Sequence, residues 1–165
     1  MNDAHLHLVF NHFPIIGAIF GFGVLVAGLV LKNNAVKNVS YCLFIVSAIF
    51  AYASLSTGGG AAGMVKDMPD ITKPMIHEHA EIAEKLAYLL YLLAVVSLAA
   101  LYANIKNLSF SRWISYVILI IAGVAVYVSK DVGTTGGEIR HTEIRSDSAP
   151  ANSERNENEA EHEND

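Results

Sequence analysis

Four long apolar stretches without a charged residue dominate the pattern along this chain. A helix needs about 20 mostly apolar residues to cross a bilayer, and each stretch reaches that length once its flanking turns are included. Helices that are apolar all round lack the polar face of a soluble amphipathic helix. The pattern therefore predicts an all-α integral membrane four-helix bundle in residues 1–145, with spans at about 9–31, 39–57, 80–103 and 112–129. The charge-free stretches are Phe13–Leu31, Val39–Thr57, Leu86–Tyr102 and Trp113–Ser129.

The last 20 residues, 146–165, differ in composition from the rest. They are rich in Ser, Asn and Glu and contain no aromatic residue, which predicts a disordered acidic tail. The chain has 16% charged residues and a net charge of −5. Seven acids and one base give the tail −6, which leaves +1 for residues 1–145. A nearly neutral apolar body excludes a strongly basic nucleic-acid-binding protein.

Basic residues in two short loops set the predicted orientation. Lys32 and Lys37 follow the first span, Lys106 and Arg112 precede the fourth, and neither loop holds an acid. The positive-inside rule places such loops in the cytoplasm, so both termini are expected in the periplasm of a bacterial inner membrane. A long outer loop is predicted between about residues 58 and 76. All seven histidines then fall on the outer side: His5, His7, His12, His77, His79, His141 and His162.

The third span opens with a run of ionisable residues. On a helix, His77, Glu81, Glu84, Tyr88 and Tyr91 lie within about 40° of one direction, forming a polar stripe that descends from the outer surface into the membrane. Ionisable groups at membrane depth are costly unless they face the bundle interior or water, so the stripe is a candidate functional site. The alternative interpretation is a solvated helix start with acids favoured by the helix dipole.

Two further segments bring histidine to the same face. Asn11 and His12 precede a proline at the mouth of the first span, where His12 either caps the helix or binds a ligand. Glu138 and His141 follow the fourth span with the Glu-x-x-His spacing, which lets both side chains bind one metal on a helical turn. Three other histidines fall in segments expected to be mobile and are not candidates: His5, His7 and His162.

Histidine with carboxylate is the donor set of a transition-metal site. Imidazole and carboxylate bind zinc, iron, copper or nickel, and two histidines on different helices are alternatively able to hold haem b from both sides. The only cysteine, Cys42, excludes a cysteine-built metal site. We assign no catalytic residue, since no G-x-S-x-G or phosphate-binding loop is present. The candidate metal ligands are His77, Glu81, His141 and Glu138, and the candidate cofactor ligands are His12 and His79.

Small residues recur at helical spacing in the spans. Gly17 and Gly21 form a G-x-x-x-G pair, which allows close approach of helix backbones in lipid. The pair predicts either packing within the chain or the interface of a homo-oligomer. Tyr41, Tyr102 and Trp113 lie near span ends and are expected in an interfacial aromatic belt.

The chain resembles a family of small bacterial membrane proteins, the DUF2231-type family, in the version found in Bacteroidetes. The resemblance covers about residues 3–145 and implies a four-span inner-membrane protein of uncharacterised activity. It also implies respiratory or cytochrome-type partners, because related domains neighbour cytochrome or Rieske-type modules. Relatives are acidic where residues 59–62 read Gly-Gly-Ala-Ala. The segments that carry the resemblance are residues 4–7, 11–17, 56–58, 77–81 and 136–144.

Three functions follow from these observations. The first is an inner-membrane protein that binds a metal ion or haem as an accessory to membrane redox processes. The second is a small proton-linked or metal transporter that uses the polar stripe as its path. The third is a structural or assembly subunit without a cofactor. In each case the lipid bilayer is a partner and enzyme activity is not expected.

Overall fold

The computed structural model describes residues 2–145, which form an all-α fold. Four candidate spans, with the first two helices counted as one, are long and apolar enough to cross a membrane. This confirms the predicted four-helix bundle. The acidic tail, 146–165, lies outside the described residues. The helices are α1 (Asp3–Phe10), α2 (His12–Val30), α3 (Asn34–Val65), α4 (Lys73–Ile105) and α5 (Ser111–Arg140), followed by a short 3-10 helix (Thr142–Ile144).

The four long helices run antiparallel around one core. Helices α2 and α4 each pack against both α3 and α5, and α1 lies along α3. Short connections make sequential helices antiparallel neighbours. We call the end where α2 and α4 begin the histidine end. The opposite end, with the connections 31–33 and 106–110, is the basic end.

Glycines of α2 form the contact between α2 and α3. A Cβ atom at Gly17 would meet the Ser47 side chain, and one at Gly21 would lie 2.5 Å from the Phe44 ring. Gly28 faces Lys37, whose backbone nitrogen would be 2.9 Å from an added Cβ. The G-x-x-x-G pair therefore serves packing within the chain, where absent side chains let the two backbones approach.

A break at Asn11 separates α1 from α2. Pro14 has no N–H to donate to the carbonyl of Phe10, and its ring crowds that carbonyl. The helical hydrogen bonding is therefore interrupted at Asn11, whose backbone stays in the right-handed helical region, and α2 begins at His12. Phe10 and Phe13 pack on either side of this break against Phe50 of α3, and Phe13 stacks on it with ring centroids 4.5 Å apart.

The predicted long loop between residues 58 and 76 is wrong. Helix α3 continues through the glycine-rich segment to Val65, and the connection to α4 covers only residues 66–72. Glycine disfavours a helix, but α1 packs against this segment. An added Cβ at Gly60 would meet Asp3, and one at Gly58 would lie 3.5 Å from the His7 ring. Tertiary packing therefore overrides the local preference.

Hydrogen bonds between polar side chains join the helices at the basic end. The Tyr41 hydroxyl lies 2.7 Å from Ser115 Oγ, and Asn104 donates to Asn38 over 2.9 Å. Tyr41 is fully buried, so its predicted place in the aromatic belt is wrong. Tyr102 and Trp113, the other two residues predicted in this belt, are exposed on the outside of the bundle.

Replacing Tyr41 by phenylalanine should lower the free energy of unfolding by about 1 kcal/mol. Ser115 Oγ donates to the Ser111 carbonyl, so the Tyr41 hydroxyl is the donor of the bond that the substitution removes. Thermal unfolding in detergent measures the effect. Tyr52→Phe is the matched control, because Tyr52 lies on the same helix and is exposed. Equal stability of the two variants would contradict the assigned bond.

Candidate functional site

The histidines of residues 2–145 gather at the histidine end, but their side chains take different surroundings. His5, His12, His77 and His141 are exposed, whereas His7 and His79 are half-buried between helices. His12 is the first residue of α2, and its neighbour Asn11 makes no capping hydrogen bond. His162, the remaining histidine of the chain, lies outside the described residues. The structure therefore separates these histidines into two half-buried ones and four exposed ones.

His7 is held in a fixed position, contrary to the expectation of a mobile N-terminal segment. It belongs to α1, and its Nδ1 lies 3.0 Å from the Ser54 carbonyl oxygen and 3.4 Å from Thr57 Oγ1. A carbonyl oxygen only accepts, so Nδ1 of His7 carries the hydrogen. Nε2 of the neutral ring then bears the free lone pair.

His79 is fixed in the same way between α4 and α5. Its Nδ1 lies 3.0 Å from Thr135 Oγ1, and Thr135 donates its own hydrogen to the Asp131 carbonyl over 2.8 Å. His79 Nδ1 is therefore the donor, and Nε2 is again left with its lone pair. Gly136 makes room for the ring, because a Cβ there would lie 3.0 Å from His79 Cε1.

His7 and His79 are the two half-buried histidines of this end, and we call them the histidine pair. A charge on the His7 ring acts on His79. Each ring donates its Nδ1 hydrogen to a protein oxygen, which is how metal-binding histidines are usually oriented. His7 of α1 is held by α3, and His79 of α4 is held by α5.

A small recess lies between the helices at the histidine end. It has a volume of about 30 Å³, enough for one or two water molecules. Ser54, whose carbonyl holds His7, lines it, as does Ala83, one turn after His79, but neither histidine does. Asn11 also lines the recess, and its Oδ1 is buried without a hydrogen-bond partner among residues 2–145. The recess therefore offers a polar acceptor at this end of the bundle.

The predicted polar stripe of α4 forms, but on the outside of the bundle. His77 Nε2 and Glu81 Oε1 lie 3.2 Å apart, with side chains 76% and 56% exposed. Tyr88 donates to Glu84 over 2.9 Å, and its ring packs edge-on against Tyr91. Residues two apart on a helix point about 200° apart, so His77 and Glu81 face away from His79. The carboxylates of the stripe do not line the interior of this bundle.

Glu138 and His141 do not share a helical turn, which corrects the basis of their predicted pairing. Helix α5 ends at Arg140, and His141 has an extended backbone. Arg145 caps the end of this helix, because its guanidinium donates to the carbonyls of Glu138 and Ile139 at 2.8 and 3.4 Å. Such bonds replace the missing partners at a helix C-terminus.

His141 instead bonds to Glu143 beyond the helix. The distance from His141 Nδ1 to Glu143 Oε1 is 2.9 Å. The pKa of the Glu143 carboxyl is lowered, first by a hydrogen bond from its own backbone N–H and then by the bond from His141. Both side chains are exposed, so this pair lies on the surface.

Within residues 2–145, no group of three or more His, Cys, Asp or Glu side chains comes close enough to hold a metal ion alone. The predicted candidates His12, His77, His79 and His141 are therefore not brought into one cluster. The strongest arrangement of donors is His79 with His7. His79 was predicted as a ligand from the sequence, and His7 was not. One signal was available for His79, since it shares a helix face with Ala83, Leu86 and Leu90.

Searches of protein-family models, of curated proteins and of solved structures found no match for this chain. The resemblance to the DUF2231-type family stays a prediction from the sequence.

Proposed function

We propose that this protein binds a transition-metal ion at the histidine end, through His7 and His79, as an accessory to redox processes in a bacterial inner membrane. The observation that carries the proposal is the orientation of the two imidazoles. Both Nδ1 atoms are engaged with protein oxygens at 3.0 Å. Both Nε2 atoms are then free to bind a metal, and their positions are fixed before it arrives.

The two imidazoles favour a transition-metal ion over a hard ion such as magnesium or calcium. Neutral imidazole suits zinc, copper, nickel and ferrous iron, whereas magnesium and calcium prefer oxygen ligands. Two histidines leave coordination positions for water, for a group of a second copy or for a partner protein. Open positions are typical of sites that exchange ligands rather than of closed structural sites. A respiratory or cytochrome-type partner fits this arrangement.

Haem fits the described geometry less well than a single ion. The recess at the histidine end has a volume of about 30 Å³, and neither histidine lines it. This volume suits water and not a porphyrin. The glycines that face the rings, Gly58 and Gly136, leave room for the imidazoles themselves. We therefore favour an ion and keep haem as an outcome that the experiment separates.

The test is metal binding by the purified full chain in detergent, prepared with an affinity tag that contains no histidine. After treatment with a chelator, Co²⁺, Zn²⁺ and Cu²⁺ are titrated, and Co²⁺ absorption reports the ligands. We expect His7→Ala and His79→Ala each to weaken binding about tenfold or more. Elemental analysis of the untreated protein identifies the ion acquired in the cell.

Exposed histidines on the same two helices are matched controls. His5 lies on α1 and His77 on α4, so His5→Ala and His77→Ala should bind the ion as the parent protein does. The proposal fails if no ion binds, or if the control variants lose as much affinity as the test variants. A Soret band that disappears in His79→Ala would identify haem as the ligand instead.

The other two functions have distinct signatures. A transporter requires flux in vesicles that falls when Glu81 and Glu84 are neutralised together. A structural subunit requires only the fold, so simultaneous replacement of His7 and His79 would leave the cellular phenotype unchanged. Reporter fusions at the two termini test the proposed periplasmic location of the histidine end.

A further inference from the structure

A second polar cavity lies at the basic end, far along the bundle from the histidine pair. Its volume is about 600 Å³, within the range of small-ligand sites. Three cations line it, one from the α2–α3 connection, one from α3 and one from α5: Lys32, Lys37 and Arg112. No acidic residue lines it. The cavity is therefore a concentrated site of positive charge.

Lys37 is the residue that requires an explanation. Its side chain is only 6% exposed, and among residues 2–145 it is the one buried lysine. It makes no ion pair within this part of the chain. Burying a charge without a partner is costly. A buried lysine that lines a cavity is therefore a strong candidate for binding an anion there.

No carboxylate of the membrane domain is available to pair with Lys37. The sequence holds no Asp or Glu from Ala4 to Lys66, and none from Lys85 to Lys130. Every acid among the described residues therefore lies toward the histidine end. Arg112, the charged group that acts on Lys37, is another cation. An opposite charge at this end therefore has to come from outside residues 2–145.

Helix geometry adds to the positive potential of the cavity. Helices α3 and α5 begin at Asn34 and Ser111, and both of these residues line the cavity. Helix α5 begins without a side-chain cap. Most of the first N–H groups are already bonded within the chain: Asn33 Oδ1 accepts from Ala35 and Val36, and Ser111 and Trp113 donate to the carbonyls of Leu108 and Phe110. The positive potential therefore comes mainly from the three cations, and the dipoles of the two helices add to it. Gly28 permits this arrangement, because a Cβ there would lie 2.7 Å from Lys37 Cγ.

We propose that the cavity at the basic end binds the phosphate group of an anionic ligand, with Lys37 and Arg112 as its principal cations. The exposed aromatics at its rim indicate the source. Trp113 is 71% exposed and Tyr116 is 44% exposed, and such residues typically lie at the level of lipid headgroups. Basic pockets between membrane helices bind anionic headgroups. An anionic phospholipid is therefore the favoured source of the phosphate, and a soluble phosphate compound has the same chemistry.

The test measures the thermal stability of the detergent-purified full chain against added ligand. Phosphatidylglycerol is compared with zwitterionic phosphatidylcholine and with inorganic phosphate. We expect phosphatidylglycerol to raise the melting temperature and phosphatidylcholine not to. Arg112→Gln and Lys37→Met should each weaken the phosphatidylglycerol effect about tenfold in concentration, since each removes a charge-assisted hydrogen bond.

Lys106→Gln is the matched control, because Lys106 is an exposed cation in the same region that does not line the cavity. Arg112 is also exposed, so its variant folds even if Lys37→Met does not. The proposal is overturned if Arg112→Gln responds like the parent protein or if Lys106→Gln loses as much. It is also overturned if neither phosphatidylglycerol nor phosphate has an effect. Stabilisation by inorganic phosphate alone, lost in Arg112→Gln, supports the site and assigns it to a soluble ligand.

Discussion

Gly28→Ala is expected to lower the free energy of unfolding by about 3 kcal/mol, at the upper end of the cost of overpacking a tight interface. The added Cβ would lie 2.9 Å from the backbone nitrogen of Lys37 and 3.2 Å from its Cα. These are backbone atoms, so no side-chain rotation relieves the contact. Helices α2 and α3 have to move apart at the basic end. Thermal or denaturant unfolding in detergent measures the loss.

Gly23→Ala is the control for the substitution itself. A Cβ at Gly23 would have no atom within 4 Å, so this variant keeps the packing and gains helix propensity, up to about 1 kcal/mol. The sign of the effect should therefore differ between two glycines of one helix. A Gly28→Ala protein as stable as Gly23→Ala would show that α2 and α3 are not packed as described.

Gly60→Val is expected to displace α1 from α3, with a cost of about 2 kcal/mol. A Cβ at Gly60 would lie 2.5 Å from Asp3 Cβ and 2.7 Å from Asp3 Cγ. Asp3 begins the helix that carries His7, and His7 is oriented by the Ser54 carbonyl of α3. Displacing α1 should therefore speed hydrogen exchange of its amides. If His7 binds a metal ion as proposed, displacing α1 should also weaken binding of that ion.

Gly59→Val separates this effect from the helix propensity of valine. A Cβ at Gly59 would meet nothing within 4 Å, so α1 should stay protected from exchange in that variant. Faster exchange of α1 with unchanged metal affinity would contradict the role given to His7. Unchanged exchange in Gly60→Val would contradict the packing of α1 itself.

The two ends of the bundle have opposite chemistry. At the histidine end, imidazoles with free lone pairs suit a cation, and every acid among residues 2–145 lies toward this end. At the basic end, a cavity of about 600 Å³ collects three cations and two helix N-termini. The core between them is built from apolar and small side chains. The two proposals are independent, because their sites share no residue.

Part of the candidate site followed from the sequence, and part did not. The common face of the histidines was predictable, because alternating spans place every second connection on the same side. The pairing of His77 with Glu81 was also predictable, since both lie on one helix face. The pairing of His7 with His79 was not, because it depends on how α1 docks and how α4 is rotated about its axis. The predicted Glu138–His141 geometry was wrong because α5 ends at Arg140, where Arg145, a residue outside the motif, bonds to the last carbonyls.

The sequence by itself determined the number of spans, the all-α class and the clustering of charge at opposite ends. These properties depend on the cost of placing each residue in hydrocarbon, which is nearly local. Only the tertiary structure decided which side of each helix faces a neighbour. It turned Gly17, Gly21 and Gly28 of α2 toward α3, kept the glycine-rich end of α3 helical against α1, and buried Lys37 in a cavity that Arg112 also lines. Such choices depend on close packing between distant segments, where a single methyl group decides whether two helices meet.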